Sequence, residues 1–213
     1  MIRSSIFAIA FSSSIAIFVL TACERTIQVG GPIVQAPELI LSSDGNRSVI
    51  ASDGVALPLR AWLPGPGERQ VKPIVIALHG FNEYSKVFEG PAAWWSERGI
   101  AVFAYDQRGF GKTDGAGLWP GAKTMVRDLR NVVEVIRGHY SNRPIYLLGT
   151  SMGGAVILSA LDERYSEGQS LAKSISGVVL SSPAVWGRSQ MNPFYRLALW
   201  LSANTIPNAN VTG

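Results

Sequence analysis

Three short runs of this chain, PIVIALHG (73–80), IAVFAYD (100–106) and RPIYLLG (143–149), are mostly apolar and rich in strand-forming residues, and ISGVVLSS (175–182) reads as a fourth strand. A strand that alternates apolar and polar residues has one wet face; a strand that does not alternate is buried on both. Segments of helical length separate the runs, at about 85–98, at 123–140 and from MGGAVILSALDER onward. In 123–140 the residues Met125, Val126, Leu129, Val132, Val133 and Ile136 fall at helical spacing, with Arg127, Asp128, Arg130, Glu134 and Arg137 facing elsewhere. Buried strands alternating with helices predict an α/β fold, a doubly wound and mostly parallel sheet covered on both faces. Upstream, LILSSDG and VALPLRAWLP, bracketed by Asp-Gly turns at 44–45 and 53–54, predict an N-terminal antiparallel hairpin. Active sites in such sheets lie at the carboxyl ends of the strands.

Three of those ends carry unusual residues. Gly149-Thr150-Ser151-Met152-Gly153 is a G-x-S-x-G between a strand and a helix. Small neighbours allow the sharp turn that lifts a serine oxygen out of the sheet, and the Met152 N–H at the helix start points towards the same place. At His79-Gly80-Phe81, Gly80 lets the backbone turn so that the Phe81 N–H joins that of Met152 in an oxyanion hole, with His79 bracing the loop by hydrogen bonding. The third end is Asp106-Gln107-Arg108-Gly109-Phe110-Gly111-Lys112-Thr113. It lacks the G-x-x-x-x-G-K-[ST] spacing of a phosphate loop, so Asp106 and Arg108 are expected to hold its shape beneath the serine turn.

The N-terminus reads as an export signal. Arg3 is followed by the apolar run Ile6–Leu20, whose 15 residues are short of the ~20 that a membrane span needs. An uncleaved anchor helix is the alternative. Leu20-Thr21-Ala22-Cys23 resembles the lipobox of bacterial lipoproteins, in which the cysteine becomes the first mature residue and carries lipid. Cys23 is the only cysteine, so the mature domain can hold no internal disulfide. The expected organisation is a signal peptide over 1–22, a tether over 23–38 and a catalytic domain over 39–213. That places the protein in a bacterial cell envelope, anchored to a membrane at Cys23. The net charge of +4 is scattered rather than striped, which gives nucleic-acid binding no support. Two histidines and one acylated cysteine cannot assemble a metal site, and no cofactor is expected.

HGFNEYS, DQRGFGKTDG, RPIYLLGTSMGGAVILS and GVVLSSPAVW resemble, in order, the landmarks of the alpha/beta-hydrolase superfamily. They are most similar to its monoacylglycerol lipase / lysophospholipase branch, which also holds serine aminopeptidase-like proteins. The resemblance runs from about residue 40 to the end. It implies Ser151 as nucleophile, Phe81 and Met152 as oxyanion donors, an acyl ester or lipid as substrate, and His79, Gly80, Gly149, Gly153 and Asp106 as supports of the turn and loop. Thr150 stands where the family often has histidine. In this superfamily an acid and then a histidine follow the serine, whereas here no histidine follows Ser151 and the acids Asp162, Glu163 and Glu167 end its helix on the wrong side of the sheet. His139 closes the helix 123–140, and the strand 143–149 must climb the sheet again, which puts it ~20 Å from the serine. The chain therefore reads as the N-terminal two-thirds of such a domain, without the final strands and with a lid beginning near 187, where NPFYRLALWLSAN would be its first helix. The expected function is a lipid-anchored serine hydrolase of acyl esters, inactive as this piece. The alternatives are a non-catalytic lipoprotein that binds through a degenerate scaffold, and a peptidase or acyltransferase of the same superfamily.

Overall fold

A computed structural model describes residues 30–43, 45–65, 73–165, 171–185 and 191–205. The signal segment, Cys23 and the expected lid boundary near 187 lie outside the described residues. The chain divides into two units, one of residues 27–185 and one joining 1–26 with 186–213.

The larger unit is built on one seven-stranded sheet of order β1-β2-β3-β5-β4-β6-β7. Its strands are β1 (Glu38–Leu41), β2 (Arg47–Ile50), β3 (Ala56–Trp62), β4 (Ile74–Leu78), β5 (Ala101–Tyr105), β6 (Ile145–Thr150) and β7 (Gly177–Ser181). The pairings β1–β2, β2–β3 and β3–β5 are antiparallel, and β4–β5, β4–β6 and β6–β7 are parallel. β2 and β4 to β7 therefore run one way, β1 and β3 the other. The expected hairpin is thus a three-stranded meander. RSVI becomes its middle strand by pairing on both edges, although four residues with a leading arginine carry little strand signal of their own.

Helices α1 (Glu89–Ser96), α2 (Ala122–His139) and α3 (Met152–Leu161) complete the unit. A 3₁₀ turn, Ser85–Phe88, leads into α1, so the expected 85–98 segment is split. The connection β4–α1–β5 moves to one side of β4, and β5–α2–β6 returns across it to the other. Right-handed crossovers in opposite directions put their helices on opposite faces. The core accordingly forms two clusters. Ile74, Ile76, Leu78, Phe103 and Tyr105 pack with α2 and α3, while Ala77, Val102 and Ala104 pack with Phe88 and Ala92 on the α1 side. Alternate residues of β4 and β5 thus feed different cores, which is why those strands read as unbroken apolar runs. β4 is the strand where the winding reverses, and the crevice beyond its carboxyl end is the natural place for a site.

β7 is the last strand of the sheet and is less covered than its neighbours: Val179 is 54% and Leu180 37% exposed. The segment expected to be a tether through residue 38 is already laid on the fold from Gly30. Gly30 N–H donates to Thr124 Oγ1 (3.1 Å), Gly31 N–H to Asp53 Oδ2 (3.0 Å), and Val34 N–H to Ser52 O (2.8 Å). In the second unit α4 (Pro193–Thr205) begins where Asn192 Oδ1 accepts from the Phe194 N–H at 2.9 Å, an N-terminal cap. Phe194, Tyr195, Leu197, Trp200 and Leu201 on it are exposed. Among the described residues no helix is long and apolar enough to cross a membrane.

Candidate active site

Ser151 sits between β6 and α3 with φ 47° and ψ −112°, a left-handed conformation that a side-chain-bearing residue rarely adopts. Its neighbours over-determine it. The Ser151 N–H donates to Ser181 O (3.0 Å), and its carbonyl accepts from Ala155 and Ala184 N–H at 3.2 and 2.9 Å. The turn also needs backbone room, because a Cβ on Gly153 would run into the Leu78 carbonyl at the end of β4. The outcome is an exposed serine at the carboxyl end of the sheet. Strain held at a single exposed nucleophile by surrounding bonds is the geometry that nucleophilic catalysis uses.

The loop after β4 lies against this turn: a Cβ on Gly80 would stand 3.4 Å from Ser151 Cβ. Gly80 N–H is taken by Glu83 Oε2 (2.7 Å), and Gly80 O accepts from the Glu83 N–H and from the His79 ring. The Phe81 and Met152 N–H groups donate to no acceptor among the described residues, and Met152 opens α3, where the helix leaves its first N–H groups unpaired. Two such donors beside a serine can stabilise an oxyanion.

His79 is fully buried and both ring nitrogens are engaged. Nε2 accepts from Gln107 N–H at 3.0 Å and Nδ1 donates to Gly80 O at 2.8 Å, which fixes the neutral Nδ1–H tautomer. Burial holds its pKa below the ordinary 6.5, against the opposing pull of the Gly80 carbonyl and of Asp106 and Glu83. This is a bracing histidine, with no lone pair left to take a serine proton. A depressed pKa contributes stability above the unfolded-state value that is lost as pH falls through the folded one. The unfolding midpoint of the wild type should accordingly drop relative to that of His79→Gln as pH is lowered from 7 to 5. Parallel curves would remove the tautomer assignment.

The 106–113 loop clamps the same segment. Asp106 accepts from Ser85 N–H (2.9 Å), Ser85 Oγ–H (2.5 Å) and Lys112 N–H (2.9 Å), and Gln107 Nε2 donates to His79 O at 2.8 Å. The Phe110 ring meets both Phe81 and His79 edge-on, at 5.5 and 5.7 Å between centroids. Gln107 and Phe110 went unnoticed in the sequence because nothing in their neighbourhood marks them as partners of a loop 28 residues away.

Arg108 works differently from expectation. It turns away from its own loop, fully buried, and makes bidentate pairs with two carboxylates: Asp53 at 2.8 and 2.9 Å, and Asp128 at 2.9 and 2.8 Å. Arg127 adds a second cation to Asp53 at 2.7 Å. Asp128, read as part of the outward face of α2, is 1% exposed. Burial raises the carboxyl of Asp53, but the hydrogen bonds and charge of Arg108, then Arg127, outweigh it and hold the pKa below 3.8. Asp128 lies deeper, and there burial wins, with a pKa of about 6 despite Arg108. The network ties the β2–β3 turn, α2 and the 106–113 loop together.

His139 ends α2 exposed, its Nδ1 on Val135 O (2.9 Å), at the opposite end of the sheet from Ser151. Asp162 is held by Arg164 beyond the end of α3, and Glu167 is outside the described residues. Neither described histidine meets the serine. Among the described residues no three His, Cys, Asp or Glu side chains gather to hold a metal ion.

The profile of a hydrolase family described as serine aminopeptidase, S33, matches residues 69–213. The monoglyceride lipase of Homo sapiens is 30% identical over 165 residues, 76% of this chain and 51% of that protein. The monoacylglycerol lipase of Mycolicibacterium smegmatis is 26% identical over 156 residues, 73% and 52%. Among solved structures, a soluble variant of the monoglyceride lipase from Saccharomyces cerevisiae, in complex with a substrate analogue, superposes with a TM-score of 0.58 at 25% identity, over 87% of this chain and 58% of that one. The chain spans about half the length of the curated relatives it matches.

Proposed function

Since the chain belongs to the serine aminopeptidase S33 family of hydrolases, in its monoacylglycerol lipase branch, we propose that the protein cleaves carboxylic esters of acyl chains with Ser151 as nucleophile. The single observation that carries the reading is the left-handed, exposed Ser151 lying against the Gly80 loop. Ser151 Oγ attacks the acyl carbonyl. The Phe81 and Met152 N–H groups receive the charge that develops on its oxygen, each donor lowering the barrier by ~2.7–4 kcal/mol in a well-built site. The alcohol leaves, and water then releases the acid from the acyl-enzyme. The protons call for a histidine and an acid beside Ser151, a role that neither His79 nor His139 fills.

The substrate class follows from the named relatives, which are lipases of monoacylglycerols. The test is release of glycerol from a monoacylglycerol against release of an N-terminal amino acid from a peptide, each with Ser151→Ala as control. Glycerol release abolished by the substitution supports the reading. Amide cleavage alone would overturn it in favour of a peptidase.

The N-terminal sequence supports a second element of the proposal, attachment to a bacterial envelope membrane by lipid on Cys23. Two or more acyl chains, at ~0.8 kcal/mol per buried methylene, anchor stably where one does not. Cys23→Ala should accumulate an uncleaved precursor. Mass spectrometry finding Met1 intact and no acyl mass on the wild type would sink this element.

A further inference from the structure

A cavity of about 240 Å³ opens beside Gly30, between the first turns of α2 and the segment after α3, and Ser151 is not among the residues that line it. Lys123, Arg127, Arg130 and Arg164 line it together with Gly30 and Tyr165, and among the described residues no carboxylate does. Lys123, Arg127 and Arg130 come from one face of α2, at spacings of four and three, while Arg164 arrives from the 3₁₀ turn that follows α3. Concave sites lined by one sign of charge concentrate the opposite one.

Arg127 pairs with Asp53 and Arg164 with Asp162, both carboxylates standing outside the lining. Arg127 Nη1 also donates to Gly31 O at 2.8 Å, which fixes its guanidinium at the cavity wall. Tetrahedral oxyanions suit several guanidiniums and an ammonium converging from different sides.

We propose that this cavity binds a phosphate group. Gly30 stands at its rim only seven residues after Cys23, a stretch that spans at most ~25 Å. With Cys23 in the membrane, the cavity lies within reach of lipid headgroups, so a phospholipid phosphate is the source most readily met; free inorganic phosphate has the same chemistry. The site does not depend on Ser151, and only the choice of source depends on lipidation.

The experiment compares the full chain with its Lys123→Glu/Arg164→Glu variant, both positions exposed and outside the Arg108 network. Flotation is measured with phosphatidylcholine vesicles and with vesicles containing phosphatidylglycerol, and ³¹P line broadening with inorganic phosphate alone. The apolar N-terminus contributes equally to both proteins. A preference of the wild type for anionic vesicles that drops roughly 30-fold in the variant assigns the lipid source. No vesicle preference, but phosphate broadening that the variant abolishes, assigns free phosphate. Equal behaviour of both proteins in both assays overturns the site. Ser151→Ala should bind as the wild type does, so loss of hydrolase activity and loss of this site are separable.

Discussion

A protein made of residues 1–213 alone should hydrolyse p-nitrophenyl acyl esters roughly 10⁴–10⁶-fold more slowly than the same chain continued through segments that supply a histidine and an acid to Ser151. The reason is geometric. His79 precedes Gly80, on which an added Cβ would meet Ser151, yet both its nitrogens are spent on Gln107 and Gly80 inside the fold. His139 ends the helix that runs back along the sheet. A serine with donors but no base keeps only oxyanion and binding effects. Ser151→Ala should then change almost nothing in the 213-residue protein and abolish turnover in the longer one. Brisk turnover by the shorter protein, lost in His79→Ala, would make His79 the base and refute its bracing role.

Arg108→Leu should lower stability by about 3–5 kcal/mol, the usual cost of leaving buried charges without their partner. Asp53 and Asp128 would both remain in the interior, with Arg127 touching only the first. Without Arg108 the Asp128 carboxyl, already raised by burial, moves further above its unfolded value, and Asp53 loses the largest of the interactions that hold it down. The variant is then favoured below about pH 3.8 and loses stability as pH rises, so its deficit is smallest in acid and largest near neutrality. Urea unfolding of wild type and variant from pH 4 to 8 reads both features. A second variant, with Leu at Arg108, Asp53 and Asp128 together, should recover much of the loss, because a well-packed apolar triad removes the stranded charges. A deficit under about 1 kcal/mol, flat with pH, would show that the network contributes nothing of the kind.

The central strands were legible because their burial on two faces leaves a local mark: β4 (IVIAL) and β5 (AVFAY) read as unbroken runs, and β6 opens with one before its Gly149-Thr150 end. Ser151 was legible for a related reason, since the residues that permit its turn are its immediate neighbours. β2 was not, because its identity as a strand comes from pairing with β1 and β3 rather than from RSVI itself. The Arg108 network was invisible too. Its partners lie 55 and 20 residues away, one in an Asp-Gly turn and one on a helix face whose composition reads as solvated. The same holds for Gln107 and His79, 28 residues apart. Chemistry that depends on sequence neighbours is readable, and chemistry that depends on fold neighbours waits for the fold.

The backbone of Ser151 has one more implication. At φ 47° glycine would be the more comfortable residue, and a hydroxymethyl group is held there against the preference of its own main chain. The residue that would relax the turn has no oxygen with which to attack a carbonyl. Thermostability and reactivity therefore compete for this single position. Any selection that rewarded only a higher melting temperature would be pressing the fold to discard its nucleophile.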